Sequence, residues 1–141
     1  MLDELPAEPP EVGAQLARFL VVRSTGYVEH TFETCIRHFA EAHAHPAVAR
    51  HVVAGLFKGR NPRPEVLLER TALLSEDWGE SLHDYLRKDD ATAHRELSFM
   101  VDRRNQIAHG QSESVNRRKA LDLADVALNL GEWLTELIDP R

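Results

Sequence analysis

Wherever this chain has enough apolar residues to show a period, the period is that of an α-helix. From Ala14 to His43, Leu16, Phe19, Leu20, Tyr27, Val28, Phe32, Cys35, Ile36 and Phe39 recur at helical spacing, which predicts one long helix loosened near Ser24-Thr25-Gly26. Pro46 suits the first turn of a short helix carrying Val48, Val52, Val53, Leu56 and Phe57. The stretch Lys58-Gly59-Arg60-Asn61-Pro62-Arg63-Pro64 is the clearest loop, and a further short helix is expected over 64–74. Ser75 is a good N-cap for a helix to about Arg87 bearing Trp78, Leu82 and Leu86. Asp89-Asp90 or Thr92 then begins a helix ending at His109, and a leucine-rich helix runs from about Val115 to Ile138. No segment alternates with period two and no internal repeat occurs, so the fold class is all-α, a single-domain bundle of five to six helices.

Length and composition agree with one soluble globular domain. A chain of 141 residues buries about two-thirds of its unfolded surface, and 43% hydrophobic with 28% charged residues is ordinary for such a domain. Residues 1–13 are rich in proline and acid and are expected to form a mobile tail, leaving 14–141 as the helical domain. The lone Cys35 precludes an internal disulfide and suits a reducing cytoplasm. No basic, apolar leader opens the sequence, and no run approaches the ~18 apolar residues of a membrane span.

One position breaks the apolar pattern. At about 100° per residue, Leu97, Met100, Val101, Ile107 and Ala108 all fall within about 60° of Arg104, which places a guanidinium at the centre of an apolar stripe. An unpaired buried charge is costly, so Arg104 needs a carboxylate partner, an opening into a cleft, or a second subunit. Glu29, on the edge of the first helix's apolar face, is a candidate partner. Asp102 reads as a solvated acid.

The residues after Arg104 suit proton transfer and phosphate binding. Asn105 and His109 are four apart, so the amide can reach and orient the imidazole. Gly110 is the glycine expected just past a helix end, which puts His109 in the last turn. Histidine is the side chain whose ordinary ionisation lies nearest neutral pH, and arginine offers a planar fork of donors that matches phosphate oxygens. Overall net charge is −6, which argues against general nucleic-acid binding. Yet Arg103, Arg104, Arg117, Arg118 and Lys119 face only Glu113 between positions 103 and 119, a local basic patch able to hold a phosphate backbone. The plainer reading of those charges is a solvated turn and helix start.

Arg104-Asn105-Gln106-Ile107-Ala108-His109 resembles the signature of the HEPN domains, an arginine, often a polar residue after it, and a histidine late in the same helix. Its flanks are similar to the RiboL-PSP-HEPN branch: Gly26-Tyr27-Val28-Glu29, Asn61-Pro62, Trp78, Ile107-Ala108-His109-Gly110 and Ile138-Asp139, so that the resemblance covers about residues 14 to 139. It implies a metal-independent endoribonuclease acting as a homodimer, with two motif helices facing one another across a cleft. Arg104 and His109 would be catalytic with Asn105 in support, and Arg103, Arg117, Arg118 and Lys119 would contact RNA phosphate. Such domains serve as toxins or phage-defence effectors, which implies an antitoxin or other defence-system partner. Some carry a tyrosine two residues beyond the histidine that a partner modifies; here Gln111 stands there. The alternatives are a non-catalytic HEPN module that binds RNA or a protein, and an unrelated bundle with a structural arginine.

No cofactor or metal is expected. Glu80-Ser81-Leu82-His83 is a single Glu-x-x-His, whereas a carboxylate-bridged di-metal site needs two such pairs and two more glutamates. His38, His43 and His45 lack regular ligand spacing.

Overall fold

The computed structural model describes residues 10–57, 60–110 and 115–139. Among these there are five helices and no strand: α1 (Pro10–His43), α2 (Pro46–Ala54), α3 (Pro64–Leu74), α4 (Glu76–Ala108) and α5 (Arg117–Leu137). The all-α bundle expected from periodicity is therefore the fold. Lys58, Gly59, Gln111 and Glu113, together with the first nine residues of the anticipated tail, lie outside the described residues.

Helix α1 begins at Pro10 rather than Ala14, so residues 10–13 of the anticipated tail are helical. Proline in a first turn forfeits no helical hydrogen bond, and Glu11 beside it favours the positive end of the helix dipole. The expected loosening at Ser24-Thr25-Gly26 does not occur, because Thr25 Oγ1 donates to the Val21 carbonyl at 2.9 Å and both Ser24 and Thr25 are buried. At the other end of the sequence, Asn116 caps α5 by accepting from the Lys119 amide, so that helix starts two residues after Val115.

The core is one cluster. Val21, Val28, Phe32 and Ile36 of α1 meet Leu123, Ala127, Leu130 and Leu134 of α5, Leu82, Leu86, Leu97, Met100 and Val101 of α4, and Leu67 of α3. Each such fully buried aliphatic side chain contributes about 1.5–3 kcal/mol from removal of apolar surface from water. Helices α1 and α5 run parallel: residues near Ala17 lie by Ala120, Tyr27 by Gly131, and Cys35 by Thr135. Gly131 permits this approach, since a Cβ there would lie 2.5 Å from the Tyr27 ring.

The chain from Asn61 through α3 runs antiparallel to α4. Ala72 packs on Gly79, Glu65 lies by His94, Arg63 by Asp102 and Asn61 by Arg104. Ser75 caps α4 through a hydrogen bond accepted from the Trp78 amide at 3.3 Å. Helix α4 is broken at Lys88–Ala91, where Asp89, Asp90 and Ala91 have φ of 54°, 60° and 57°. Three consecutive left-handed residues end the segment 76–87 and start the segment 92–108, which is where the acidic pair predicts a break. Thr92 Oγ1 and Arg95 Nε hold the turn by donating to the carbonyls of Asp89 and Asp90 at 2.5 and 3.1 Å.

Candidate active site at the end of α4

The second segment of α4 presents Leu97, Met100 and Val101 to the core, all fully buried, and then leaves it: Ile107 is half-buried and Ala108 exposed. Arg104 sits where the stripe emerges. Its side chain keeps 23% of its exposure, and two elements hold it. Nη1 donates to Glu29 Oε2 of α1 at 3.5 Å, and Nη2 donates to Oδ1 of Asn61 in the loop before α3. A guanidinium has five N–H donors, so two acceptors fix its plane without exhausting its capacity to bind an anion.

Glu29 was legible as a candidate partner, whereas Asn61 was not. The loop that carries Asn61 is tied down on both sides. The Arg63 amide donates to the Asn61 carbonyl at 2.8 Å, Pro62 is buried, and Arg63 Nη2 reaches Asp102 Oδ1 at 2.7 Å. Asp102 is the exposed acid its position suggested and is also ion-paired, and at 57% side-chain exposure the pair adds little stability.

His109 is exposed and forms the C-cap of α4. Its backbone N–H donates to the Asn105 carbonyl at 3.1 Å, and the N–H of Gly110, in the left-handed conformation at φ +73°, donates to the Ile107 carbonyl at 3.1 Å. The link between Asn105 and His109 is therefore in the main chain; no side-chain hydrogen bond joins them among the described residues. About 140° of helix rotation separates His109 from Arg104, and the two share no hydrogen bond among the described residues.

Two of the basic residues are engaged on another side of α4. Arg103 and Lys119 gather on Phe99, with Arg103 Cζ and Lys119 Nζ each 4.7 Å from its ring centroid. Phe99 lies about 140° from Arg104 around α4, on the side opposite to His109's displacement. Lys119 also pairs with Glu96 Oε2 at 2.5 Å, and Glu96 is only 15% exposed. Its ammonium therefore also joins α5 to α4. Arg118 is 81% exposed, with a loose contact to Asp122 one turn on. Arg117 lies against the start of α1, beside Gly13 and Leu16.

The histidines considered as ligands have other surroundings. His45 Nδ1 accepts from the Ala47 amide and caps α2, and the His43 ring packs 4.7 Å from Phe39. Cys35 is buried near Thr135, and burial raises its thiol pKa above the usual value. Among the described residues no helix is long and apolar enough to cross a membrane.

Searches of curated proteins and of solved structures returned no match. The model of one protein family, RiboL-PSP-HEPN, matches residues 2–139, which takes in every helix and all the side chains around Arg104. The chain belongs to the RiboL-PSP-HEPN family.

Proposed function

We propose that this HEPN domain is a metal-independent endoribonuclease that works in the cytoplasm as a twofold dimer, in the role of a toxin or phage-defence effector restrained by an antitoxin or other defence-system partner. The observation that carries the reading is the arrangement at the end of α4. An arginine emerging from the core is fixed by Glu29 and Asn61, and an exposed histidine closes the same helix.

In this mechanism the 2′-oxygen of a ribose attacks the adjacent phosphorus and the 5′-oxygen leaves, giving a 2′,3′-cyclic phosphate. His109 takes the 2′-hydroxyl proton or supplies one to the leaving oxygen, a contribution typically worth about 10²–10⁴-fold. Arg104 stabilises charge developing on the phosphoryl oxygens, which for a well-placed donor is worth about 3–4 kcal/mol. Asn105, half-buried beside them, binds a phosphate oxygen or restrains the His109 ring.

Dimerisation accounts for the divergence of Arg104 and His109 within one copy, because pairing two α4 ends brings two sets together. An exposed apolar stripe supports such a face: Val12, Leu16, Phe19 and Val22 of α1 remain 42, 39, 63 and 38% exposed. Val22 stands two turns before Glu29 and within about 20° of its direction, so the stripe leads to the Arg104 cluster. The entry side for RNA then falls to Arg117 and Arg118, with Arg103 nearby on α4.

The separation of Arg104 and His109 around α4 favours a second reading, a non-catalytic module that binds RNA or a protein. Incubation of the purified chain with total RNA in EDTA separates the two. Cleavage lost in both Arg104→Ala and His109→Ala supports the nuclease, and intact RNA with measurable binding supports the module. Light scattering at micromolar concentration tests the dimer, and an active monomer would refute the shared cleft.

A further inference from the structure

A second feature lies away from α4. Residues of α1, α2 and α3 line a half-open cavity of about 340 Å³, within the size range of small-ligand sites. Ile36, Val52, Leu56 and Leu74 give it an apolar lining, His51 and Arg70 add the polar groups, and no lining residue is acidic. None of these residues belongs to the Arg104 cluster. Arg70 is the anomaly. Its Nε is buried and has no hydrogen-bond partner, and no ion pair engages its guanidinium among the described residues. The residue as a whole is only half-buried, so a guanidinium with no ion pair among the described residues stands at the wall of the cavity.

We propose that this cavity binds a small aliphatic carboxylate, its carboxyl group on Arg70 and its chain among Ile36, Val52, Leu56 and Leu74. The planar guanidinium matches a carboxylate with two parallel hydrogen bonds. A lining otherwise mostly apolar favours a single negative charge with a hydrocarbon body over a phosphate, whose second charge would lose its hydration against leucine and isoleucine. His51, on the α2 wall, supplies a second donor for the same head group.

The test is titration of the full chain with octanoate and, separately, with 1-octanol, followed by amide chemical-shift changes. The expected result is octanoate binding at least about tenfold tighter than the alcohol, with shifts confined to α1, α2 and α3 around the cavity. Arg70→Gln should erase the preference for the acid, and Val52→Trp, which fills the cavity from another helix, should remove binding of both. Circular dichroism confirms that each variant is helical, and the wild-type comparison of acid with alcohol stands without either variant. Equal affinity for the two ligands, octanoate binding unchanged by Arg70→Gln or Val52→Trp, or no binding at millimolar octanoate would overturn the assignment.

Discussion

The Asn61 side-chain oxygen accepts from Nη2 of Arg104, so a loop residue and a helix residue 43 positions apart share one hydrogen bond at the point where the apolar stripe of α4 leaves the core. Glu29 approaches the other terminal nitrogen from α1. The guanidinium plane is thus defined by three separate segments of the chain. If Arg104 acts on a phosphate, these two neighbours set its orientation, and small losses of orientation cost rate.

Asn61→Ala and Glu29→Gln should accordingly each lower RNA cleavage by roughly 10-fold or more through misplacement of Arg104, with the double variant worse than either. Both should leave the thermal midpoint within a few degrees of wild type, because the groups are half-exposed. Cleavage rates for the two single variants and the double variant check this, and full activity of the double variant would remove both residues from the site.

Much of the fold was legible because long helices advertise their period. The bounds of α3, the Ser75 cap, the break at Asp89-Asp90 and the left-handed Gly110 all follow from local chemistry, and the structure has each of them. Glu29 could be named as a partner for Arg104 because helical geometry placed it at the edge of a buried face. Asn61 could not, since a loop has no period and its side-chain direction depends on Pro62 being buried and Arg63 reaching Asp102. The surroundings of Lys119 were illegible for a related reason. Net charge along the sequence counts a cation as available, but contact with the nearly buried Glu96 and the Phe99 ring is tertiary information.

Two helical glycines should respond in opposite directions to alanine. Gly131→Ala drives a methyl to 2.5 Å from the Tyr27 ring, and this overpacking between α1 and α5 should cost about 1–3 kcal/mol. Gly26→Ala meets nothing within 4 Å, and its higher helix propensity should add about 0.5–1 kcal/mol. Urea denaturation of the two variants side by side measures both signs.

The left-handed turn that divides α4 makes a third expectation. Ala91 holds φ of 57° without the short polar side chain that eases this conformation for Asp89 and Asp90. Ala91→Gly should therefore stabilise the protein by about 1 kcal/mol, net of glycine's greater freedom in the unfolded chain. A thermal midpoint lower than that of wild type would show that the turn is not strained there.

Alkaline pH should weaken the fold partly through Cys35. Burial raises its thiol pKa above the ordinary 9.0, so the native state holds the proton after the unfolded chain has released it. The contribution is complete below pH 9.0 and is lost as pH rises past it through the raised native value. Thermal midpoints should fall as pH rises above about 9, and less steeply for Cys35→Ala than for wild type. Parallel slopes for the two proteins would assign the loss to other groups, such as Tyr85, whose pKa is also raised by burial.

The central claim, cleavage of RNA by its own 2′-hydroxyl under Arg104 and His109, is tested most directly by the ends of the products. A DNA oligonucleotide carrying a single ribonucleotide, incubated with the purified chain in EDTA, should be cut only after the ribose. Mass spectrometry should find a 2′,3′-cyclic phosphate on one fragment and a 5′-hydroxyl on the other, and neither fragment with Arg104→Ala or His109→Ala. A 5′-phosphate product, cleavage that requires a divalent ion, or undiminished cutting by either variant would contradict the mechanism.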